Sequence, residues 1–519
     1  MGAATRWRGW LAGLVWAAAA TAASAAEVAW IDAGGDADIE RAFARARSES
    51  KPLLLYWGAK WCPPCNQLKA TLFNRQDFAE RSKSFVAVNI DGDLPGAQRL
   101  GARFKVSGYP TMVLMNPQGA EITRLPGEAD PPQVMQLLQM GLAGGRPVKA
   151  VLADARAGKP LAGGEWRMLA FYSWATDEAQ LLSAAERPGV LAQLAQACPA
   201  GESDSATRLM LKALADSDDG KGVRPDEALR QRVRAWLADA ALMRRQMDVV
   251  VNYAPEITKA LSPDGGAPRK ALVGSFQSAL RRLEADATLS RGDRLSALLA
   301  RVELARIDAP KNERHPKLAE PLLKEVRAHA ARVDREISDG YERQAVVTAA
   351  AYMLGQAGLW NDSDALLKAN LAKSHSPYYL MSQLGGNARK LGRKAEALDW
   401  YEQAWVRSEG PATRLQWGSS YVNAIVELAP QEAARMEKAV ATMIGDAAGD
   451  AGAFDGRSVR SLQRIGEKLA AWNTDGRHDP VIGRLKAQLD GVCARIPSAD
   501  PQRAACDGIL RKAIKTGAA

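Results

Sequence analysis

Metal-ligating side chains are scarce in this sequence. It contains four histidines and five cysteines in 519 residues, and the histidines are far apart, at His315, His329, His375 and His478. Structural zinc sites need four ligands, usually as two closely spaced pairs. The CxxC pair at 62–65 has no second pair to complete such a set. The pattern argues against zinc, and we expect no metal site.

Two further features are missing. No basic run is interleaved with aromatic residues, a pattern typical of nucleic-acid-binding surfaces, so we expect no nucleic-acid partner. After the first 26 residues, no stretch offers the roughly 20 apolar residues that a transmembrane helix needs. We therefore expect no stable membrane insertion once the N-terminal segment is removed.

The overall composition is that of a soluble globular protein. Hydrophobic residues make up 47% and charged residues 25% of the chain, which argues against disorder. Domains usually contain about 100–200 residues, so we expect two to four units. The net charge is +10, which favours solubility or weak attraction to anionic surfaces.

The N-terminus predicts a secretory signal peptide over residues 1–26. Arg6 and Arg8 precede an apolar run that ends in small residues, Ala23-Ser24-Ala25. A positive start, a short apolar stretch and a small-x-small end are typical of such peptides, and cleavage is expected near Ala25 or Ala26. The alternative, a membrane anchor, would need a longer apolar run. Export to the periplasm or outside the cell permits disulfide chemistry.

Residues 27–145 alternate between strand and helix patterns. Short apolar runs bounded by breakers indicate buried strands, and a turn signal at 116–119 indicates a hairpin. The result is a small three-layer α/β domain. The predicted strands are 53–57, 85–90, 111–115 and 121–124. The predicted helices are 38–48, a stretch that follows residue 65 and ends near Leu72, 94–104 and 132–142.

The rest of the chain predicts helices. Residues 146–164 are predicted to be a linker because glycines and prolines cluster there. From 165 to 519 the pattern indicates a large α-helical, repeat-like region. Its best repeat, residues 378–411, resembles a tetratricopeptide repeat, with Gly385 and Tyr401 at a small and a large position. The alternative for this unit is a helical hairpin of no particular family.

Cys62-Pro63-Pro64-Cys65 is the segment that indicates chemistry. It lies where a predicted strand passes into a helix. A helix N-terminus favours a thiolate, and the thiolate is the nucleophile in disulfide exchange. We expect Cys62 to be the more exposed, attacking sulfur and Cys65 to resolve the mixed disulfide. The two prolines have no N–H to donate, so the Cys65 amide must stabilise the Cys62 sulfur. The alternative is a static structural disulfide.

Trp61, the CxxC motif and the segment Gly108-Tyr109-Pro110-Thr111 together resemble the thioredoxin superfamily. The resemblance implies a thioredoxin fold, a cis peptide bond before Pro110, and a substrate groove flanked by Tyr109. The stretch from Lys51 to Asp77 is most similar to the periplasmic, reductase-type branch, which includes the C-terminal domain of the transmembrane thiol:disulfide interchange proteins. Tyr56 stands where typical thioredoxins have a buried acid, so proton transfer is expected to rely on water or Lys60.

Three cysteines lie outside this motif. Cys493 and Cys506 are close in sequence, and we expect them to form a structural disulfide that joins the last two helices. Cys198 is then left as a buried, inert thiol, or, as an alternative, as a relay that takes electrons from Cys65.

These observations predict an exported thiol–disulfide oxidoreductase that needs no cofactor, because the electrons reside on two sulfurs. Its expected partners are proteins with thiols or disulfides and a redox partner that the sequence does not identify. Reductase or isomerase activity is favoured over oxidase activity. The alternative is an interaction scaffold in which the helical region binds partners and the thioredoxin-like domain is a docking module.

Overall fold

The computed structural model describes residues 27–162, 164–217 and 222–513. The predicted signal peptide, residues 1–26, lies outside the described residues.

The N-terminal part of the chain forms one five-stranded mixed sheet. The strand order is β1-β3-β2-β4-β5. Strands β1, β3 and β2 are parallel neighbours, whereas β4 and β5 continue the sheet in antiparallel pairs. The strands are β1 (Ile31–Asp32), β2 (Leu53–Gly58), β3 (Val86–Asp91), β4 (Thr111–Met115) and β5 (Glu121–Leu125).

The central strand β2 explains why this sheet is buried on both faces. Every one of its six residues is buried, as expected of a strand with helices on both sides. Leu53 is paired with Val86 on one side and Met115 on the other. The helices of this part are α1 (Asp36–Ser48), α2 (Pro63–Leu68), α3 (Gln76–Ser82), α4 (Ala97–Arg103) and α5 (Pro131–Leu142), and a short π-helical turn, Lys69–Phe73, extends α2.

From residue 146 onward the described chain is helical and contains no strand. The predicted fold class, a thioredoxin fold followed by a large all-α region, is confirmed. The helices are α6 (Val148–Arg156), α7 (Glu165–Ala170), α8 (Arg187–Ala197), α9 (Ser203–Ala215), α10 (Glu227–Ala238), α11 (Ala240–Arg245), α12 (Met247–Leu261), α13 (Gly266–Ala285), α14 (Arg291–Ala305), α15 (Glu320–Glu336), α16 (Gly340–Gln356), α17 (Trp360–Asn370), α18 (Pro377–Lys390), α19 (Lys394–Val406), α20 (Pro411–Leu428), α21 (Ala433–Ala448), α22 (Gly456–Trp472), α23 (Asp479–Cys493) and α24 (Pro501–Gly508).

The segment that the sequence predicts as a linker, 146–164, contains helix α6. Val148, Val151, Leu152 and Ala155 are buried, and their spacing places them on one helix face. These side chains belong to an apolar core that continues from the sheet into the following helices. The two parts of the chain are therefore joined by packed structure at this point.

Helices α18 and α19 form the hairpin on which the repeat prediction rests. Gly385 lies against the Tyr401 ring, where an added Cβ would come within 3.1 Å of ring atoms. Tyr401 is buried. A small residue facing a large one thus lets the two helices approach closely, as the sequence pattern indicates. Assignment to the tetratricopeptide family remains a prediction.

None of the helices in the described residues has both the length and the apolar character that crossing a bilayer requires.

Candidate active site

Cys62 and Cys65 form a disulfide at the start of helix α2. Their sulfurs are 2.10 Å apart and their Cα atoms 5.3 Å apart. Cys62 is the N-cap residue, with an extended backbone, and its sulfur accepts a hydrogen bond from the Cys65 amide at 3.2 Å. The helix N-terminus carries partial positive charge, so this position stabilises a thiolate on Cys62 once the disulfide is reduced.

Pro63 and Pro64 occupy the first turn of α2. Proline is tolerated there because amides of the first turn have no partner within the helix. Neither proline has an N–H, and the amide that reaches the Cys62 sulfur is that of Cys65. Pro64 is exposed to solvent, whereas both cysteines are buried. The prolines therefore form the accessible side of the motif.

A buried asparagine holds the loop that leads into the motif. The Asn66 side-chain amide donates to the carbonyl oxygens of Lys60 at 2.9 Å and Cys62 at 2.8 Å. Asn66 is fully buried, so these bonds are shielded from water and keep the turn in one conformation. Sequence reasoning missed this residue. Its one signal is a polar side chain between the apolar positions Cys65 and Leu68.

Tyr109 and Pro110 form a second segment next to the cysteines. The peptide bond between them is cis, and the Tyr109 ring packs against the buried cluster of Ala59, Cys62 and Cys65. The Tyr109 hydroxyl accepts a hydrogen bond from Gln98 at 3.0 Å. Burial raises the pKa of Tyr109, which keeps the phenol protonated. The fold thus brings the motif and the Tyr109–Pro110 segment, 44 or more positions apart in the chain, to one site.

Comparison with known proteins agrees with this geometry. The sequence profile of the thioredoxin-like domain family matches residues 39–141. A thioredoxin from Mycolicibacterium smegmatis is 32% identical over 78 residues, which is 15% of this chain and 67% of that protein. The chain belongs to the thioredoxin family.

Two thiol:disulfide interchange proteins are also similar to the thioredoxin-like domain. DsbD 2 from Pseudomonas aeruginosa is 29% identical over 115 residues, covering 21% of this chain and 20% of the relative. DsbD from Pseudomonas fluorescens is 32% identical over 98 residues, covering 18% of this chain and 17% of the relative. The chain therefore spans about a fifth of the length of these two relatives.

Tyr56 fills the position in β2 where a typical thioredoxin has an acid. It is buried, and its hydroxyl has no hydrogen-bond partner in the described structure. Its ring extends along the strand over Gly58, leaving no space there for a Cβ. Burial, aided by the nearby Asp91 carboxylate, raises the pKa of Tyr56. A phenol that stays protonated cannot accept the proton that the Cys65 thiol must lose. Lys60, the alternative considered from sequence, forms an exposed ion pair with Glu409 at 2.9 Å.

The helical region covers the Cys62 side of the thioredoxin-like domain. Cys62 is only 2% exposed and Cys65 is 0% exposed. This differs from the expectation that Cys62 is the exposed sulfur. The reason is that α16 packs directly on α2, an arrangement that local sequence patterns do not reveal. Gln344 of α16 donates a hydrogen bond to the Trp61 carbonyl at 3.2 Å.

Trp61 lies at the centre of the contact between the helical region and the thioredoxin-like domain. Its ring stacks on Tyr379 at a centroid distance of 5.9 Å and packs against Trp417 at 5.0 Å. Its indole N–H is shared between the Asp93 carboxylate at 3.0 Å and the Thr413 hydroxyl at 2.8 Å. An aromatic ring with its polar atom satisfied gives a large contact area and a fixed orientation. Trp61 therefore anchors the helical region beside the motif.

Asp93 links three of these groups. Besides Trp61, its carboxylate accepts hydrogen bonds from Thr413 and, at 2.5 Å, from Arg457. The Arg457 guanidinium also lies 5.3 Å from the ring centroids of both Trp61 and Tyr109. Gly410, with φ of 83°, approaches so closely that a Cβ there would overlap Asp93. Sequence reasoning missed Asp93 and Arg457, because no motif connects positions 364 residues apart.

The remaining cysteines do not belong to the buried cluster of Ala59, Cys62 and Cys65. Cys493 and Cys506 are joined by a disulfide between α23 and α24, with Cα atoms 5.7 Å apart, and both are 0% exposed. Cys198 is a free, half-buried thiol at the end of α8. Burial raises the pKa of the Cys198 thiol to about 12, which disfavours the reactive thiolate. Within the described residues, no three His, Cys, Asp or Glu side chains form a cluster suited to a metal ion.

Proposed function

We propose that this chain is an exported thiol–disulfide oxidoreductase that works through Cys62 and Cys65 and acts as a reductase or isomerase. The observation that carries the proposal is the position of the two sulfurs, bonded at the N-terminus of α2 with the cis Tyr109–Pro110 bond beside them. Similarity to the two thiol:disulfide interchange proteins supports the same class of activity.

The chemistry follows from the geometry. In the reduced protein, the Cys62 thiolate attacks a disulfide of the substrate, and one substrate sulfur leaves as a thiolate. Cys65 then loses its proton and attacks Cys62 in the mixed disulfide. The second substrate sulfur leaves, and the Cys62–Cys65 bond forms. Two electrons have passed to the substrate, and a thiol donor must return them. No other cofactor takes part.

Export is supported by residues 1–26, and a thiol-bearing redox partner is implied by the need for a donor. The direction of electron flow is supported by similarity to the interchange proteins and by the two prolines, which leave the Cys62 sulfur with the Cys65 amide as its N–H donor in this turn. Fewer donors mean a less stabilised thiolate, and a less stabilised thiolate favours the disulfide form and hence a reducing protein.

The test uses the full mature chain and its Cys62→Ser and Cys65→Ser variants. We expect the wild type to catalyse reduction of an unfolded, disulfide-bonded peptide by dithiothreitol, and both variants to lack this activity. A Cys198→Ala variant is the matched control and should retain full activity. The redox potential decides the direction, since thioredoxin has a potential of about −270 mV and the strong oxidant DsbA about −120 mV. A value near the oxidant's would contradict the reductase assignment.

A second candidate function is an interaction scaffold, and the burial of Cys62 favours it. A sulfur that is 2% exposed is poorly placed to attack a folded partner. In this case the thioredoxin-like domain is a docking module for the helical region. If the Cys62→Ser/Cys65→Ser double variant restores every phenotype of a deletion strain, the scaffold is favoured. If it restores none, the exchange chemistry is required.

A further inference from the structure

The covered motif has one open side. Trp61, on one flank of the cysteines, is held by Tyr379, Trp417 and Thr413. On the other flank, Pro64 remains exposed. A substrate that reaches the cysteines without displacing the helical region must therefore approach along the prolines.

A cavity of about 230 Å³ lies on this side. Pro63 and Pro64 form part of its wall, together with Gly127. Gly127 itself packs on Pro110, because a Cβ there would come within 2.8 Å of the proline ring. The cavity therefore touches the motif and adjoins the Tyr109–Pro110 segment. Helices α14 and α16 of the helical region close it, with Asp293 and Ala349 in the wall.

The size of this cavity limits what enters it. Sites for drug-sized ligands usually enclose about 300–1,000 Å³, so 230 Å³ accommodates a small molecule or one or two residues of an extended chain. A folded protein surface does not fit between α2 and the two covering helices. The occupant is therefore a low-molecular-weight thiol or disulfide, or a cysteine on an unfolded segment.

The charge of the cavity lining further restricts which ligands can bind. Among the described residues that line it, Glu128 and Asp293 are acidic and none is basic. Neither acid forms a salt bridge within the described chain. One Asp293 oxygen accepts from Ser290 at 2.7 Å, and Ser290 in turn accepts from Gln67 of α2 at 2.7 Å. The other oxygen receives no hydrogen bond from a described residue. This carboxylate is held against the active-site helix with one acceptor free.

From these contacts we infer that the cavity is a substrate subsite for a thiol or disulfide that carries an amine or another N–H donor next to its sulfur, with Asp293 as the counter-charge. The inference rests on the proposed oxidoreductase function. The charge preference inferred for the cavity is the opposite of that expected from the whole chain, since a chain with a net charge of +10 attracts anions at long range. A preference for cations must therefore come from the cavity.

The test compares three small disulfides of similar size with the reduced full-length mature protein. Cystamine is cationic, bis(2-hydroxyethyl) disulfide is neutral, and 3,3′-dithiodipropionate is anionic. Each rate is divided by the rate of the same disulfide with free dithiothreitol, which removes differences in intrinsic reactivity. We expect cystamine to be favoured over dithiodipropionate by about tenfold, the effect of one close charge that is partly screened by water.

Three variants separate the effect of the Asp293 charge on the disulfide rates from the effect of cavity size. Asp293→Asn should bring the ratio of the corrected cystamine rate to the corrected dithiodipropionate rate close to one. Asp475→Asn removes an exposed acid far along the chain and should leave this ratio unchanged. Ala349→Leu should slow all three disulfides together by narrowing the cavity. This variant keeps the test informative if Asp293→Asn weakens the start of α14, where Ser290 is the N-cap residue and its hydroxyl donates to Asp293. Circular dichroism checks that each variant is folded.

Two results overturn the inference. The first is a wild type that reacts with all three disulfides without charge preference. The second is a preference that survives in folded Asp293→Asn while Ala349→Leu changes no rate. If the wild type reacts with no disulfide at all, the oxidoreductase function itself fails, and the subsite fails with it. Where the wild type does favour cystamine, its rates with cystamine and with an unfolded peptide disulfide, compared at equal concentration, show which source of amine the cavity takes.

Discussion

The indole N–H of Trp61 donates a hydrogen bond to the hydroxyl of Thr413, a residue 352 positions further along the chain, at 2.8 Å. Trp61 precedes Cys62 directly, so this bond attaches the helical region to the reactive motif itself. The protein is therefore organised as one unit in which the helices determine what reaches the sulfurs. Substitutions at single contacts within this unit test that organisation.

Arg457→Ala should make the Cys62–Cys65 disulfide react faster with dithiothreitol. Arg457 pairs with Asp93 at 2.5 Å, with both side chains largely buried, and lies beside the Trp61 ring. Loss of one member of such a pair costs about 3–5 kcal/mol, because the other charge remains buried without its counter-charge. The interface over Trp61 should then open more often. Alkylation followed by mass spectrometry measures the rate of disulfide reduction.

The matched control for this prediction is Arg484→Ala, which removes an ion pair with Glu437 on the exposed surface. Exposed pairs contribute about 0–1 kcal/mol, so this variant should react like the wild type. Equal rates in Arg457→Ala and the wild type would show that the helical region does not control access.

Tyr56→Phe should leave the exchange rate unchanged and keep or raise stability. The Tyr56 hydroxyl is buried and has no hydrogen-bond partner among the described residues, and such a group costs about 1–3 kcal/mol. Tyr172→Phe is the control, because the Tyr172 hydroxyl is also buried but donates to Glu121 at 2.8 Å. The control should lose stability in urea unfolding. A fall in the exchange rate of Tyr56→Phe would give this phenol a role in proton transfer after all.

Removal of the Cys493–Cys506 disulfide should destabilise the C-terminal helices without affecting catalysis. The two cysteines are 13 positions apart, and closing a loop of this size stabilises a fold by about 3 kcal/mol. The Cys493→Ala/Cys506→Ala variant should unfold at a lower urea concentration than the wild type. Cys198→Ala, the control, should show a smaller decrease in the urea midpoint. Equal midpoints for the double variant and the wild type would mean that the bond does not form in solution.

Stability should fall as the pH drops from about 6.5 toward 4, and His329 should cause part of this fall. Burial, together with Arg332 and Arg294, lowers the pKa of His329 to about 4. The unfolded chain, with an ordinary histidine pKa of about 6.5, then binds a proton that the folded chain rejects, so acid favours unfolding. Above pH 6.5 both states are neutral at this side chain and the effect vanishes.

His329→Gln should therefore lose less stability between pH 7 and pH 5 than the wild type, as measured by urea unfolding at each pH. His315→Gln is the control, because this histidine is exposed. If both variants show the wild-type slope, the burial of His329 does not contribute to the pH dependence.

Local patterns were sufficient for much of the N-terminal fold. The apolar run after Pro52 predicts a strand over 53–57, and the structure has β2 at Leu53–Gly58. Burial on both faces leaves a continuous hydrophobic signal that depends on neighbours in the chain. The cis bond at Tyr109–Pro110 was expected from family resemblance, since base rates alone favour trans.

The same reasoning could not find Asn66, Asp93 or Arg457. Their roles depend on which groups they meet, and Arg457 meets Asp93 across 364 positions. No periodicity links such residues. The linker prediction at 146–164 missed a short helix, because glycine-rich segments that resemble loops flank it on both sides. The apolar face of this helix consists of Val148, Val151, Leu152 and Ala155.

The order of residues alone establishes the reactive pair, the strand that carries it and the helical nature of the C-terminal region, since each depends on chemistry and spacing within a few turns of chain. The burial of Cys62 and the cavity beside Pro63 come from the way α14 and α16 pack on α2. Packing of distant helices is governed by the fit of whole surfaces, and that fit exists only once the chain has folded.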